Sequence, residues 1–114
     1  MKIKHTQIKE VRDYLAQEQN GCCAICRLPL GKIAPFDPVL DHCHLTGAVR
    51  GVLHRCCNAV LGKIENGAKR YGLRRLLDFA RGLEHYLQHH TVNQTGLIHP
   101  THQAVKRPKK RIKK

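Results

Sequence analysis

Apolar positions recur at helical spacing near both ends of this 114-residue chain and at strand spacing only in its middle. Ile8, Val11 and Leu15 share one face of a polar segment, which predicts a helix over 6–19 with Thr6 as its N-cap and Asn20-Gly21 as its stop. The pattern then breaks. Gly and Pro in Leu28-Pro29-Leu30-Gly31 and Pro35-Phe36-Asp37-Pro38 predict a knuckle and a loop over 22–38. Two short strands follow, over 39–41 and 49–53, joined by a turn at Thr46-Gly47. A helix over 56–66 is predicted to stop at Gly67. A last helix over 71–89 carries Leu73, Leu76, Leu77, Ala80, Leu83 and Leu87 on one stripe, suited to a core or a dimer face. Arg70, Arg74, Arg75 and Arg81 fall largely off that stripe. The segment 91–104 reads as loop, and there is no internal repeat. The pattern predicts a small α+β fold with one domain over 1–90.

Composition sharpens this picture in two ways. Aromatic residues make up 4% of the chain and Trp is absent, so the core must rest on Leu, Val, Ile and Ala, and a bound metal would compensate for thin packing. The formal net charge is +13, a field that favours phosphate-rich partners through counterion release and points to nucleic acid. The run 106–114 holds seven of the 21 basic residues and no acid; without it the chain stays basic, because the remaining Lys and Arg still outnumber the 8 acids. One sign of charge and a Pro cannot build a core, so 91–114 is expected to be a disordered basic tail that adds nonspecific DNA affinity. The start, Met1-Lys2-Ile3-Lys4-His5, lacks the apolar stretch of a secretory signal, and no window is long enough to span a membrane. The expected location is the cytoplasm. There, six cysteines read as metal ligands and spare thiols rather than as disulfides.

The spacing of those cysteines is informative. Cys23-X2-Cys26 has the bite of half a tetrahedral zinc site, and His54-X2-Cys57 supplies another half where the second strand turns into a helix. Cys56 rivals His54 as a ligand. Cys22, Cys43 and Cys56 are otherwise expected to act as small buried hydrophobes. Between the two halves lies Leu40-Asp41-His42-Cys43-His44. A strand ending in Asp-His, a turn, a returning strand and a helix beginning near Asn58 would bring Asp41, His42 and Asn58 together. Two oxygen ligands, Asp41 and Asn58, suit a hard cation such as Mg2+ or Mn2+, while the imidazole of His42 suits a general base. His44 would share the face of His42 and contact phosphate or orient the base, or else serve as a turn residue. Arg50, Arg70 and Arg74 are candidate DNA backbone contacts, with solvated surface charge as the commoner fate of such residues and bracing of the site as a further role for Arg50. Gly51 reads as a close backbone approach or a bulge.

Asn20-Gly21, Cys23-Ala24-Ile25-Cys26, Leu40-Asp41-His42-Cys43-His44, Val49-Arg50-Gly51-Val52-Leu53 and Cys57-Asn58-Ala59 together resemble the recombination endonuclease VII family, a branch of the HNH or ββα-metal (His-Me finger) nucleases. The resemblance implies a ββα-metal core over about 39–66 with a zinc knuckle, flanked by an N-terminal and a C-terminal helix. It implies a Mg-dependent endodeoxyribonuclease of one-metal mechanism with structural Zn2+, in which the histidine after the metal-binding aspartate takes the proton of the attacking water. That casts Asp41, His42, His44 and Asn58 as catalytic. The family pattern has cysteine where this chain has His54. The family also implies a phage or prophage setting. Its junction-resolving members carry a longer helical C-terminal part, which leaves a monomer or a homodimer open here. Two alternatives accompany this reading: a dimeric resolvase of branched DNA, and a zinc DNA-binding module without catalysis.

Overall fold

The computed structural model describes residues 1–103; residues 104–114, which include the basic run 106–114 of the expected tail, lie outside the described residues. The chain divides into two compact units, Met1–Leu77 and the part from Asp78 onward. The architecture is small α+β: helix α1 (Ile8–Glu18), strands β1 (Pro38–His42) and β2 (Val49–His54), and helices α2 (Arg55–Tyr71) and α3 (Leu73–His89). Among the described residues no helix is long and apolar enough to cross a membrane. Residues 91–103 hold neither helix nor strand.

Local chemistry sets the ends of α1. Thr6 is not its cap. The chain enters through a single 3-10 turn, His5–Gln7, in which the Gln7 side-chain oxygen accepts the Lys4 N–H at 2.8 Å. At the other end Asn20 and Gly21 adopt positive φ, +58° and +71°, and the Gly21 N–H returns to the Ala16 carbonyl at 2.8 Å. This is the left-handed stop that the Asn-Gly pair suggests. Gly67, in contrast, does not end α2. It stays helical at a cost of about 1 kcal/mol against Ala, and the helix runs on to Tyr71, where Gly72 at φ +88° breaks it. The last helix accordingly begins at Leu73, two residues later than its periodicity suggests.

The strands form an antiparallel pair in which Leu40 faces Val52 and Asp41 faces Gly51. The next pair is His42 with Val49, so Arg50 is an extra residue and the hairpin carries a bulge there. Gly51, Val52, Leu53 and His54 are buried in succession, which a strand covered on one face would not show. Helices α1 and α2 both pack on the hairpin and provide that cover.

Gln19, the C-cap residue of α1, closes the open edge of β2. Its Nε2 donates to the Val52 carbonyl at 2.9 Å and to the Cys22 carbonyl at 2.8 Å, and its Oε1 accepts the Val52 N–H at 2.8 Å. The Ala24 N–H adds a bond to the same Val52 carbonyl at 3.1 Å. The side-chain amide thus stands in for a third strand. It also explains Gly51, where a Cβ would lie 3.0 Å from Gln19 Oε1. Because Val52 is 0% exposed, its N–H would lose its partner in Gln19→Ala. We expect that variant to lose about 1–3 kcal/mol of unfolding free energy, read as a lower urea midpoint; a midpoint equal to that of the unsubstituted protein would refute the strand-mimic role.

Candidate active site and metal centre

Cys23, Cys26, His54 and Cys57 converge. Their four ligand atoms lie within 4.8 Å of one another, the one such group of His, Cys, Asp and Glu among the described residues. A knuckle presents the first pair: the Cys23 N–H bonds the Leu28 carbonyl at 2.9 Å, the Arg27 N–H bonds the Cys23 carbonyl at 3.0 Å, and Arg27 takes φ +66° to close the turn. The second pair sits where β2 passes into α2. The loop before β1 holds that junction, because the first N–H groups of α2, on Arg55 and Cys56, bond the carbonyls of Asp37 and Pro35 at 2.9 and 3.0 Å. The Arg55 side chain adds an ion pair with Asp37 at 2.8 Å, which holds that carboxyl below its usual range.

His54, and not Cys56, completes this group of four. Its Nε2 lies 2.8 Å from the Pro29 carbonyl, which can only accept, so the proton resides there. The Nδ1 lone pair is left facing Cys26 Sγ at 3.2 Å and Cys57 Sγ at 3.8 Å. A carbonyl on the distal nitrogen is the usual way a ligating imidazole is oriented. Cys56 follows directly on the strand end and stands outside the group, since neighbours on a helix point about 100° apart. Burial raises the Cys23 thiol, but the backbone N–H groups of Cys26, His54 and Ile25 outweigh it and bring it down to about 6. Burial pushes Cys57 up to about 12, reinforced by the sulfurs of Cys26 and Cys23. Sulfurs crowded in this way suit a cation, which would hold them as thiolates, and three sulfurs with one imidazole nitrogen fit zinc.

The other spare cysteines are not core residues: Cys22, Cys43 and Cys56 are only half-buried. The Cys43 thiol is held below its ordinary value by the side chain and backbone of Thr46.

Asp41 ends the regular part of β1 and is buried, at 6% exposure. Its partner is Arg50, which the bulge turns toward it. Arg50 Nε donates to Asp41 Oδ2 at 2.8 Å and Nη2 to Oδ1 at 3.0 Å. The other side of the same guanidinium grips Glu65 on α2, Nη1 to Oε2 and Nη2 to Oε1, both at 2.9 Å. Arg50 is raised above its ordinary value by Glu65 first and Asp41 second, and Arg50 in turn holds Glu65 below the usual carboxylate range. Of the roles the sequence allows Arg50, the hydrogen bonds seen here are those of a bridge between Asp41 on β1 and Glu65 on α2. Glu65 was missed. The available signal was its place seven residues after Asn58, which puts both on one face of a helix.

His42 and His44 project at the hairpin end, both exposed, their rings stacked 4.8 Å apart and only 11° from parallel. His42 borders an open groove of about 1030 Å3 beside Lys2, His5 and Val11. His44 borders a cavity of about 440 Å3 with Arg50, Glu65 and Lys69. Asn58 lies half-buried in the first turns of α2, the helix that packs against both strands. Arg70 lies over the Tyr71 ring, 5.4 Å from its centre, and Arg74 is exposed on α3.

The hairpin with its Asp-His step, the cysteine knuckle and the helices on either side all lie within one region that matches a known family as a unit. The model of that family, recombination endonuclease VII, matches residues 1–82, and the chain belongs to the recombination endonuclease VII family of nucleases.

Proposed function

We propose that this protein is a metal-dependent DNA endonuclease of the ββα-metal (HNH) type, with zinc in the Cys23, Cys26, His54 and Cys57 centre as a structural ion. The observation that carries the reading is the step from Asp41 to His42 at the end of β1: a buried carboxylate immediately followed by an exposed imidazole stacked on a second one. Asp41 and Asn58 are the residues that would hold Mg2+ or Mn2+, whose chemistry there is to neutralise charge on the scissile phosphate. A buried carboxylate that can only accept, and a carboxamide whose oxygen is not taken by another described residue, suit a hard cation.

His42 acts as general base, accepting a proton on a ring nitrogen from the water that attacks phosphorus. His44, face to face with His42, fixes the orientation of that ring and offers a donor to a phosphate oxygen. Attack with departure of the 3′ oxygen leaves 5′-phosphate and 3′-hydroxyl ends. Lys69 and Arg70, exposed in the last turn of α2, and Arg74 at the start of α3 supply backbone contacts to DNA. Such contacts place the duplex without reading its sequence.

The test is cleavage of supercoiled plasmid and of a four-way junction by the zinc-loaded protein, each with Mg2+ and with no added divalent cation. Cutting that requires Mg2+ is expected. Paired symmetric cuts at the junction would define the enzyme more narrowly as a dimeric resolvase. Binding without cleavage under Mg2+, Mn2+ and Ni2+ would overturn the reading in favour of a zinc DNA-binding module.

A further inference from the structure

We infer that Arg50 and a divalent cation compete for Asp41, and that Glu65 is the arm that keeps the displaced guanidinium at the site. This deepens the reading of Asp41 as a cation ligand and rests on it. Both oxygens of Asp41 are committed to Arg50, through Nε and Nη2 at 2.8 and 3.0 Å. The carboxylate is 6% exposed and the guanidinium sits on both of its oxygens, so a dication on the same group meets the donors and the positive charge of Arg50. Arg50 can yield an oxygen of Asp41 without leaving. Nη1 bonds Glu65 alone, at 2.9 Å, and Nη2 is shared between the two carboxylates. If Asp41 is given up, Nε and one direction of Nη2 become free donors in fork geometry while Glu65 still anchors the group.

The anchored group borders the cavity of about 440 Å3 that His44 and Lys69 also line, a basic setting for a phosphate oxygen. The arrangement therefore links two events. In the cation-free protein the strongest phosphate-binding fork at the site is spent on Asp41; cation binding releases it for DNA. Arg50 is here a positioning residue whose availability depends on the cation, and Glu65 is what keeps it from swinging into solvent.

The test is calorimetric titration of Mn2+ into the zinc-loaded protein, independent of catalysis. Arg50→Gln is expected to bind Mn2+ at least about tenfold more tightly than the unsubstituted protein, since it loses the competitor. Glu65→Gln is expected to bind several-fold more weakly, since the guanidinium then has only Asp41. Arg50→Lys keeps the charge but not the fork, and should bind several-fold more tightly; unchanged affinity in Arg50→Lys would reduce the effect to distant charge and overturn the inference. Weaker binding by Arg50→Gln would overturn it as well, showing that Arg50 supports the cation site. Should Arg50→Gln fail to fold by circular dichroism, Arg50→Lys and Glu65→Gln decide by their opposite directions. Asp41→Asn separates the two layers: Mn2+ binding that survives it removes Asp41 as the ligand, and the competition with it, whereas binding lost in Asp41→Asn with no gain in Arg50→Lys removes only the competition.

Discussion

Alanine in place of His42 is expected to lower the DNA cleavage rate by about 10²- to 10⁴-fold, the range a positioned general base contributes, while leaving fold and DNA affinity intact. The structure allows so clean a separation because His42 is exposed and is held by its stacking on His44 rather than by burial. Removing an exposed ring opens no cavity, and changes of that kind rarely move stability by more than about 0.5 kcal/mol. Single-turnover cleavage of plasmid measures the first effect, and a gel shift of the zinc-loaded protein without added Mg2+, together with the melting temperature, measures the second. A variant that cuts within about threefold of the unsubstituted rate would move the base elsewhere, His44 being the nearest candidate. A variant that melts early would show instead that the histidine pair is a structural feature of the hairpin.

The second large effect concerns the cysteine and histidine centre. Stripping it with a strong chelator, or replacing Cys26 with serine, is expected to unfold the unit Met1–Leu77 rather than weaken it slightly. The buried side chains there are few: Cys23, Val52 and Leu53, with Asp41 and His54 as buried polar groups. Two of these five, Cys23 and His54, belong to the group that could hold the metal. So little apolar burial cannot offset the conformational entropy of the ordered chain. Structural zinc in small domains contributes about 10–16 kcal/mol of apparent binding free energy near neutral pH, more than a domain of this size retains in total. Metal analysis should find one zinc per chain, and far-ultraviolet circular dichroism should show helix lost on chelation and regained when zinc is returned. Retention of a cooperative melt after zinc is removed would mean that α1 and α2 hold the hairpin without it.

These two expectations locate function and stability in different parts of the same hairpin. One end of β2 carries His54 and the knuckle; the opposite end of the hairpin carries His42 and His44. The bulge at Arg50 lies between them and aims a cation at the carboxylate on β1. A metal held at one end would therefore fix the strand register that sets the geometry at the other, since a slip by one residue would move every side chain to the wrong face.

Much of this was legible in the chain itself wherever the determining interactions are local. The Asn20-Gly21 stop, the Gly47 turn and the two strands follow from backbone freedom and alternation over a few residues. The two X2-spaced ligand pairs are recognisable because the bite of a metal site is set by covalent spacing within each pair. The family likeness carried by 20–62 rests on the same kind of short-range pattern. Local rules failed where a local choice was nearly neutral. Gly67 is tolerated in α2 because the helix is held by packing on the strands, and Thr6 is not the cap of α1 because a 3-10 turn enters first and puts Gln7 at that position.

What only the tertiary structure decided are contacts between residues far apart in the chain. Gln19 reaches Val52 across 33 positions and Arg50 reaches Glu65 across 15. No period or propensity marks such pairs, because a Gln at a helix end and a Glu on a helix face are ordinary in sequence. They become specific when the fold brings an unpaired strand edge or a buried carboxylate within reach. The choice of His54 over Cys56 is of the same kind: it depends on the Pro29 carbonyl, 25 residues earlier, fixing one ring nitrogen so that the other faces the sulfurs. Sequence alone determined which chemistries were present and how each half-site is spaced. The packing of α1 and α2 on a bulged hairpin decided which groups meet, because partner choice is a matter of distance in space and short-range pattern carries none.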